Sequence, residues 1–108
     1  MKLPSDALIA MEKLTSYLLR MRVEDDKSRF LAGAGYTLEN PDRLMHDIQS
    51  QLLPLPAEFL ELTEYGLKYR IRGTLSGPNG RELPVDSIWM TEDTTQRTKF
   101  ITLYPTHR

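Results

Sequence analysis

Leu67-Lys68-Tyr69-Arg70-Ile71-Arg72-Gly73-Thr74-Leu75 runs directly into Ser76-Gly77-Pro78-Asn79-Gly80, and this stretch decides the fold. Leu67, Tyr69, Ile71 and Leu75 point one way, while Lys68, Arg70, Arg72 and Thr74 point the other. A period of two marks a strand with one buried face. Asn-Gly is the strongest turn dipeptide, because its residues accept the positive φ that a tight hairpin demands. The chain therefore folds back, and residues 81–91 supply the partner strand. Pro84 within that run cannot donate to a ladder, which predicts an edge position or a bulge.

The same alternation extends outward. Residues 98–104 form a last strand stopped by Pro105, after a polar turn over 92–96. Residues 59–64 form a first strand, turning at Tyr65-Gly66. Upstream of Pro54 and Pro56 the period becomes helical. Leu44, Ile48 and Leu52 recur every four residues behind Asn40-Pro41, an N-cap followed by proline. Glu24, Asp25 and Asp26 suit the first turn of a short second helix, which Gly33-Ala34-Gly35 closes. Met11, Leu14, Leu18 and Met21 define one face of a first helix over 10–21, joined by Tyr17. The reading is α+β: three helices packed on one face of a four-stranded antiparallel meander, in a single domain over 1–108. Leu14, Leu18, Leu44, Ile48, Ile71 and Ile101 are the expected core, and Trp89 is read as its anchor.

Composition removes whole classes of function. The 108 residues contain no cysteine, which excludes disulfides, thiolate metal sites and cysteine nucleophiles. Two histidines, His46 and His107, do not make a histidine metal cage. The net charge of −1 is not that of a polycation coating nucleic acid or membrane, so any such binding needs a local patch. No apolar run approaches the ~20 residues of a membrane span, and the start is not a signal peptide, so a cytoplasmic protein is expected. No metal, cofactor or membrane partner is expected.

The patch is on the deciding strand. Lys68, Arg70 and Arg72 share one face with no acid between them, and the last strand is expected to set Phe100, Thr102 and Tyr104 beside them. Cations, a hydroxyl and aromatics on one sheet face can grip phosphates and stack bases. The alternative is a solvated face whose cations pair across strands with Glu61 or Asp86. Lys27 and Arg29 form a second basic spot after the acids at 24–26.

Met1-Lys-Leu-Pro4, Lys13-Leu14, Tyr17-Leu-Leu19, Asp26-Lys-Ser-Arg-Phe30, Asn40-Pro41, Gly77-Pro-Asn-Gly-Arg81, Trp89 and Thr102-Leu-Tyr-Pro105 together resemble an uncharacterised family of small bacterial, largely cyanobacterial domains. More remotely, the helix-then-meander layout resembles the barnase–EndoU–colicin–RelE group of ribonuclease toxins. That resemblance implies an open sheet face that cleaves RNA without a metal. It matches Lys27 and Arg29 to the group's early basic motif and Arg97, Thr102 and Tyr104 to its closing strand. With Arg72 added from the basic row, Lys27, Arg72, Arg97, Thr102 and Tyr104 are the expected catalytic residues. Substrate contacts would come from Arg29, Lys68, Arg70 and Phe100. A barnase-like Glu–His pair is absent. The expected function is thus an endoribonuclease toxin of a toxin–antitoxin or contact-dependent system, with RNA and a cognate antitoxin or immunity protein as partners. The alternative is a non-enzymatic antitoxin, immunity or phage-related binding module on the same scaffold. A structural domain acting inside an oligomer, such as a homodimer, is the third expectation.

Overall fold

A computed structural model describes residues 1–20 and 27–106. Helix α1 opens as Met11–Lys13 and continues through Leu14–Leu18 with π-type bonding, Leu19 N donating to Leu14 O at 2.8 Å. Helix α2 is Lys27–Ala32. Helix α3 is Pro41–Asp47, continued by a second π-type turn, Ile48–Leu52. Four strands follow: β1 Glu58–Thr63, β2 Gly66–Ser76, β3 Glu82–Glu92 and β4 Thr98–Pro105. They form one antiparallel sheet in the order β1-β2-β3-β4. The α+β meander expected from the sequence is the fold. Met21 and the acids at 24–26, read as helical, lie outside the described residues. Among the described residues no helix is long and apolar enough to cross a membrane.

Local chemistry explains the boundaries. Gly35, at φ +96°, closes α2: Tyr36 N donates to Leu31 O at 3.1 Å and Gly35 N to Ala32 O at 2.9 Å. This is the paired bonding that a left-handed glycine permits. Asn40 differs from expectation. Its side chain does not cap α3; Oδ1 accepts from Thr37 N at 2.7 Å and Nδ2 donates to Gly35 O at 2.9 Å. It braces the preceding turn, and Pro41 alone marks the first helical residue. Pro84 sits in a central strand where the β3–β4 ladder ends: the last pair is Val85↔Pro105, and beyond it Thr106 N donates to the Pro84 carbonyl at 3.1 Å. The strand edge expected from its missing donor is thus local. The N-terminal arm extends the sheet at β4, where Leu8 pairs in parallel with Lys99.

The helices cover one sheet face. Leu14, Leu18, Leu44, Ile48, Leu52, Ile71, Leu75, Trp89 and Leu103 are fully buried in one core. Trp89 Nε1 donates to Ser87 Oγ at 2.9 Å, and Ser87 Oγ donates to Ile71 O at 2.9 Å. Ile101 departs from the expected core. The β3–β4 register passes from Ile88↔Thr102 to Trp89↔Phe100, leaving Ile101 as the extra residue of a bulge. Phe100 turns inward, 1% exposed and edge-on to Trp89 at 5.3 Å, while Ile101 is only half-buried. Ile71→Ala is expected to cost about 2–5 kcal/mol, and Ile101→Ala less than about 1, as measured by chemical denaturation.

Tyr36 ties α2 to α3. Its hydroxyl donates to Asp47 Oδ2 at 2.6 Å, and Arg43 Nε donates to the same oxygen at 2.9 Å. Burial, reinforced by the Asp47 carboxylate, raises the Tyr36 phenol well above its ordinary value of 10.0. The folded chain therefore holds this proton after the unfolded chain has lost it. The contribution of Tyr36 to stability is expected to be fully present below that value and to be lost as pH rises above it. Denaturation from neutral to strongly alkaline pH should show the fall, and Tyr36→Phe should flatten it.

Candidate functional site

On the sheet face away from the helices, β2 carries Lys68, Arg70 and Arg72. Their β3 partners in register are Met90, Ile88 and Asp86. Beyond Ile88 and Asp86 come Thr102 and Tyr104 of β4. The bulge at Ile101 leaves those two residues on this face and removes Phe100 from it. The expectation that Phe100 is a stacking residue here is corrected by its burial against Trp89.

The cationic row is paired with acids. Lys68 Nζ lies 3.7 Å from Glu61 Oε1, and Arg70 Nε donates to Glu58 Oε2 at 3.1 Å. These hydrogen bonds to Glu58 raise the Arg70 guanidinium further above its ordinary value. Arg72 Nε donates to Asp86 Oδ1 at 3.0 Å, and the same oxygen accepts from Thr106 Oγ1 at 2.8 Å. The cross-strand pairing weighed as the alternative is what forms. Each β2 cation has an acid partner, hydrogen-bonded at Arg70 and Arg72 and looser at Lys68. Arg72 differs: its side chain is 57% exposed while Asp86 is 4% exposed. The carboxylate orients this guanidinium without enclosing it.

A second group gathers at the β4 edge. Lys27 Nζ, from the first residue of α2, donates to Thr102 Oγ1 at 3.0 Å and to Tyr17 OH at 3.0 Å. The ammonium lies 5.1 Å from the Tyr17 ring centroid and 6.0 Å from that of Tyr104. Both distances suit cation–π attraction. Tyr104 is the register partner of Asp86, the residue that holds Arg72. The cluster offers an ammonium, two phenols and an aliphatic hydroxyl, and the oriented Arg72 guanidinium stands on the same sheet face. Such groups bind a phosphate and stabilise negative charge growing on its oxygens.

Lys27, Thr102 and Tyr104 are thus brought together, with Arg72 on the same open face across β3. Arg97 is not; it lies exposed in the turn before β4, five residues from Thr102 and roughly 16 Å along the strand. Arg29 lies exposed on α2 and lines a different groove, with Tyr36 and Leu38. Lys68 and Arg70 share the open face but are held by β1 carboxylates. Sequence reasoning missed Tyr17, whose spacing one turn above Leu14 placed it in the core. Its phenol was the available signal, because a partly buried tyrosine hydroxyl needs a partner. His46 is exposed on α3, and His107 lies outside the described residues. Among the described residues no three His, Cys, Asp or Glu side chains gather to hold a metal ion.

No curated protein and no solved structure matches the chain. The family model of DUF6883, a domain of unknown function, matches residues 2–107, and the chain belongs to that family.

Proposed function

We propose that this protein is a metal-independent endoribonuclease, the toxin of a toxin–antitoxin or contact-dependent system, acting at the Lys27–Thr102–Tyr104 cluster. One observation carries the reading: Lys27 Nζ meets Thr102 Oγ1 and Tyr17 OH, each at 3.0 Å, beside the ring of Tyr104. Lys27 and Thr102 are 75 positions apart in the chain. In this reading the RNA 2′-hydroxyl attacks the adjacent phosphorus and the bond to the 5′-oxygen breaks, leaving a cyclic phosphate. Lys27 and Arg72 stabilise the charge on the non-bridging oxygens. Thr102 orients the 2′-hydroxyl, and Tyr104 gives its proton to the departing 5′-oxygen. Asp86 is committed to Arg72 and Thr106, so the 2′-hydroxyl proton leaves to solvent. A cognate inhibitory protein would cover this face.

Incubation of the purified chain with single-stranded RNA in EDTA tests the proposal. Cyclic-phosphate ends and strong loss in Tyr104→Phe are expected. Intact RNA under all conditions overturns it. The pairing of Lys68 and Arg70 with Glu61 and Glu58 favours a second reading, a non-enzymatic binding module such as an antitoxin or immunity protein. That reading predicts no cleavage and a stable complex with a protein partner.

A further inference from the structure

A groove of about 470 Å³ runs between α1 and β4, and two of its wall residues, Tyr17 and Thr102, are the groups that hold Lys27. We propose that this groove seats a nucleobase of single-stranded RNA, the base adjoining the phosphate held by Lys27. The inference rests on the ribonuclease reading and adds to it the site that would choose the sequence cut.

Three observations carry it. The volume lies within the range of small-ligand sites, about 300–1,000 Å³. The apolar surface in the groove is there because of the bulge: Ile101, the unpaired residue of β4, is turned out of the core and faces the groove beside Thr102. Bulges re-aim side chains in this way, often beside active sites. An isoleucine next to the Tyr17 ring gives a flat apolar base an aromatic neighbour and a dry floor. The rim then supplies the polar complement. Glu12 and Lys13, adjacent on α1, offer an acceptor and a donor, the pair of functions needed to read the edge of an unpaired base. Because Tyr17 and Thr102 belong to both sites, a phosphate at Lys27 and its own base in the groove need only one nucleotide between them.

Titration of the intact chain, followed by amide chemical shifts, tests the inference with two kinds of probe. The first kind is the four nucleoside 3′-monophosphates, one at a time; the second is ribose 5-phosphate, which lacks a base. At least one nucleotide is expected to bind about tenfold more tightly than ribose 5-phosphate, with shifts at Ser16 and Ile101. Ala10→Trp, which fills the groove from an exposed position, should abolish that margin. Lys13→Ala, on the rim, should reduce it without touching the floor. Equal affinity of both kinds of probe, no binding by either, or a margin that survives Ala10→Trp overturns the base site. RNA cleavage by the same preparation is read separately: cleavage without a base margin sinks this inference alone, and absence of cleavage sinks the ribonuclease reading.

Discussion

Lys27→Ala is expected to lower the rate of RNA cleavage by about 10²–10³-fold, the loss that follows removal of one group aimed at developing transition-state charge. Two contributions vanish together. The ammonium no longer meets the phosphate oxygens, and Thr102 Oγ1 and Tyr17 OH lose the donor that stands 3.0 Å from each. The fold should tolerate the change, because Lys27 is only partly buried and sits at the first residue of a six-residue helix. Lys27→Arg keeps the charge but not the compact ammonium, and should fall between alanine and wild type. Arg97→Ala is the control, since Arg97 stands outside the cluster. A gel assay in EDTA checks all four proteins. Equal loss in Lys27→Ala and Arg97→Ala would separate the activity from the cluster.

Arg72→Ala has a different expected signature. Its guanidinium is exposed, and Asp86 holds it only through Nε. Binding of RNA should weaken less steeply with salt in the variant, because one fewer counterion is released from the nucleic acid. Arg70→Ala should leave that slope nearly unchanged, since Glu58 engages both Nε and Nη2 of Arg70, whose side chain is only 22% exposed. Filter binding across a range of salt concentrations separates the two.

The contrast between Arg70 and Arg72 shows how far the site was legible in the sequence. Alternation places both cations on the open face, because side chains along a strand alternate faces whatever they bond to. Asp86 and Glu61 are legible as candidate partners, but Glu58 is not, and alternation does not decide whether the pairs form. Glu58 and Asp86 face these cations only once three strands are laid in register, and a shift between Phe59 and Glu61 alters the β1 register. Lys27 and Thr102 were each legible as residues with suitable chemistry. Their 3.0 Å approach depends on how α2 lies against the β4 edge, which no local pattern encodes. Tyr17 failed for a related reason: helical spacing reports a face, and this face straddles the border between core and groove.

The fold was more legible because its decisive signals are local. The ladder from Gly66↔Glu92 to Ser76↔Glu82 runs without interruption, as the alternation and the Asn-Gly turn require. Strand β4 was half legible. Its existence followed from residues 98–104, but its facing did not. A single bulge exchanges the roles of Phe100 and Ile101, and nothing in Lys99-Phe100-Ile101-Thr102 signals the extra residue. What selects the bulge is tertiary. Phe100 inside completes an edge-on pair with Trp89, worth about 0.5–1.5 kcal/mol beyond the area it buries.

That pair is the basis of the largest stability effect. Trp89→Ala is expected to destabilise the protein by about 3–5 kcal/mol, the range for removing a large aromatic from a packed core. Total stabilities of single domains are about 5–15 kcal/mol, so the variant should be marginal, with its melting midpoint lowered by more than about 10 °C. The sequence contains one tryptophan, so the transition must be followed by circular dichroism rather than indole fluorescence. Trp89→Phe keeps a ring against Phe100 but loses the donor to Ser87 Oγ, and should cost considerably less. A second consequence follows from the bulge. With Trp89 gone, the inner face no longer rewards Phe100 over Ile101, and the β3–β4 register can relax toward simple alternation. Ile101 would then leave the groove for the inner face and Phe100 would turn out beside Thr102, while Thr102 and Tyr104 keep the open face, because losing the bulged residue re-aims only the positions on one side of it. Activity per folded molecule should therefore fall in Trp89→Ala, although Trp89 is fully buried on the opposite side of the sheet. Ile71→Ala, in the same core but away from the bulge, should lose stability while its folded fraction keeps full activity. If both variants retained full activity per folded molecule, the tryptophan would hold the core together without setting the site.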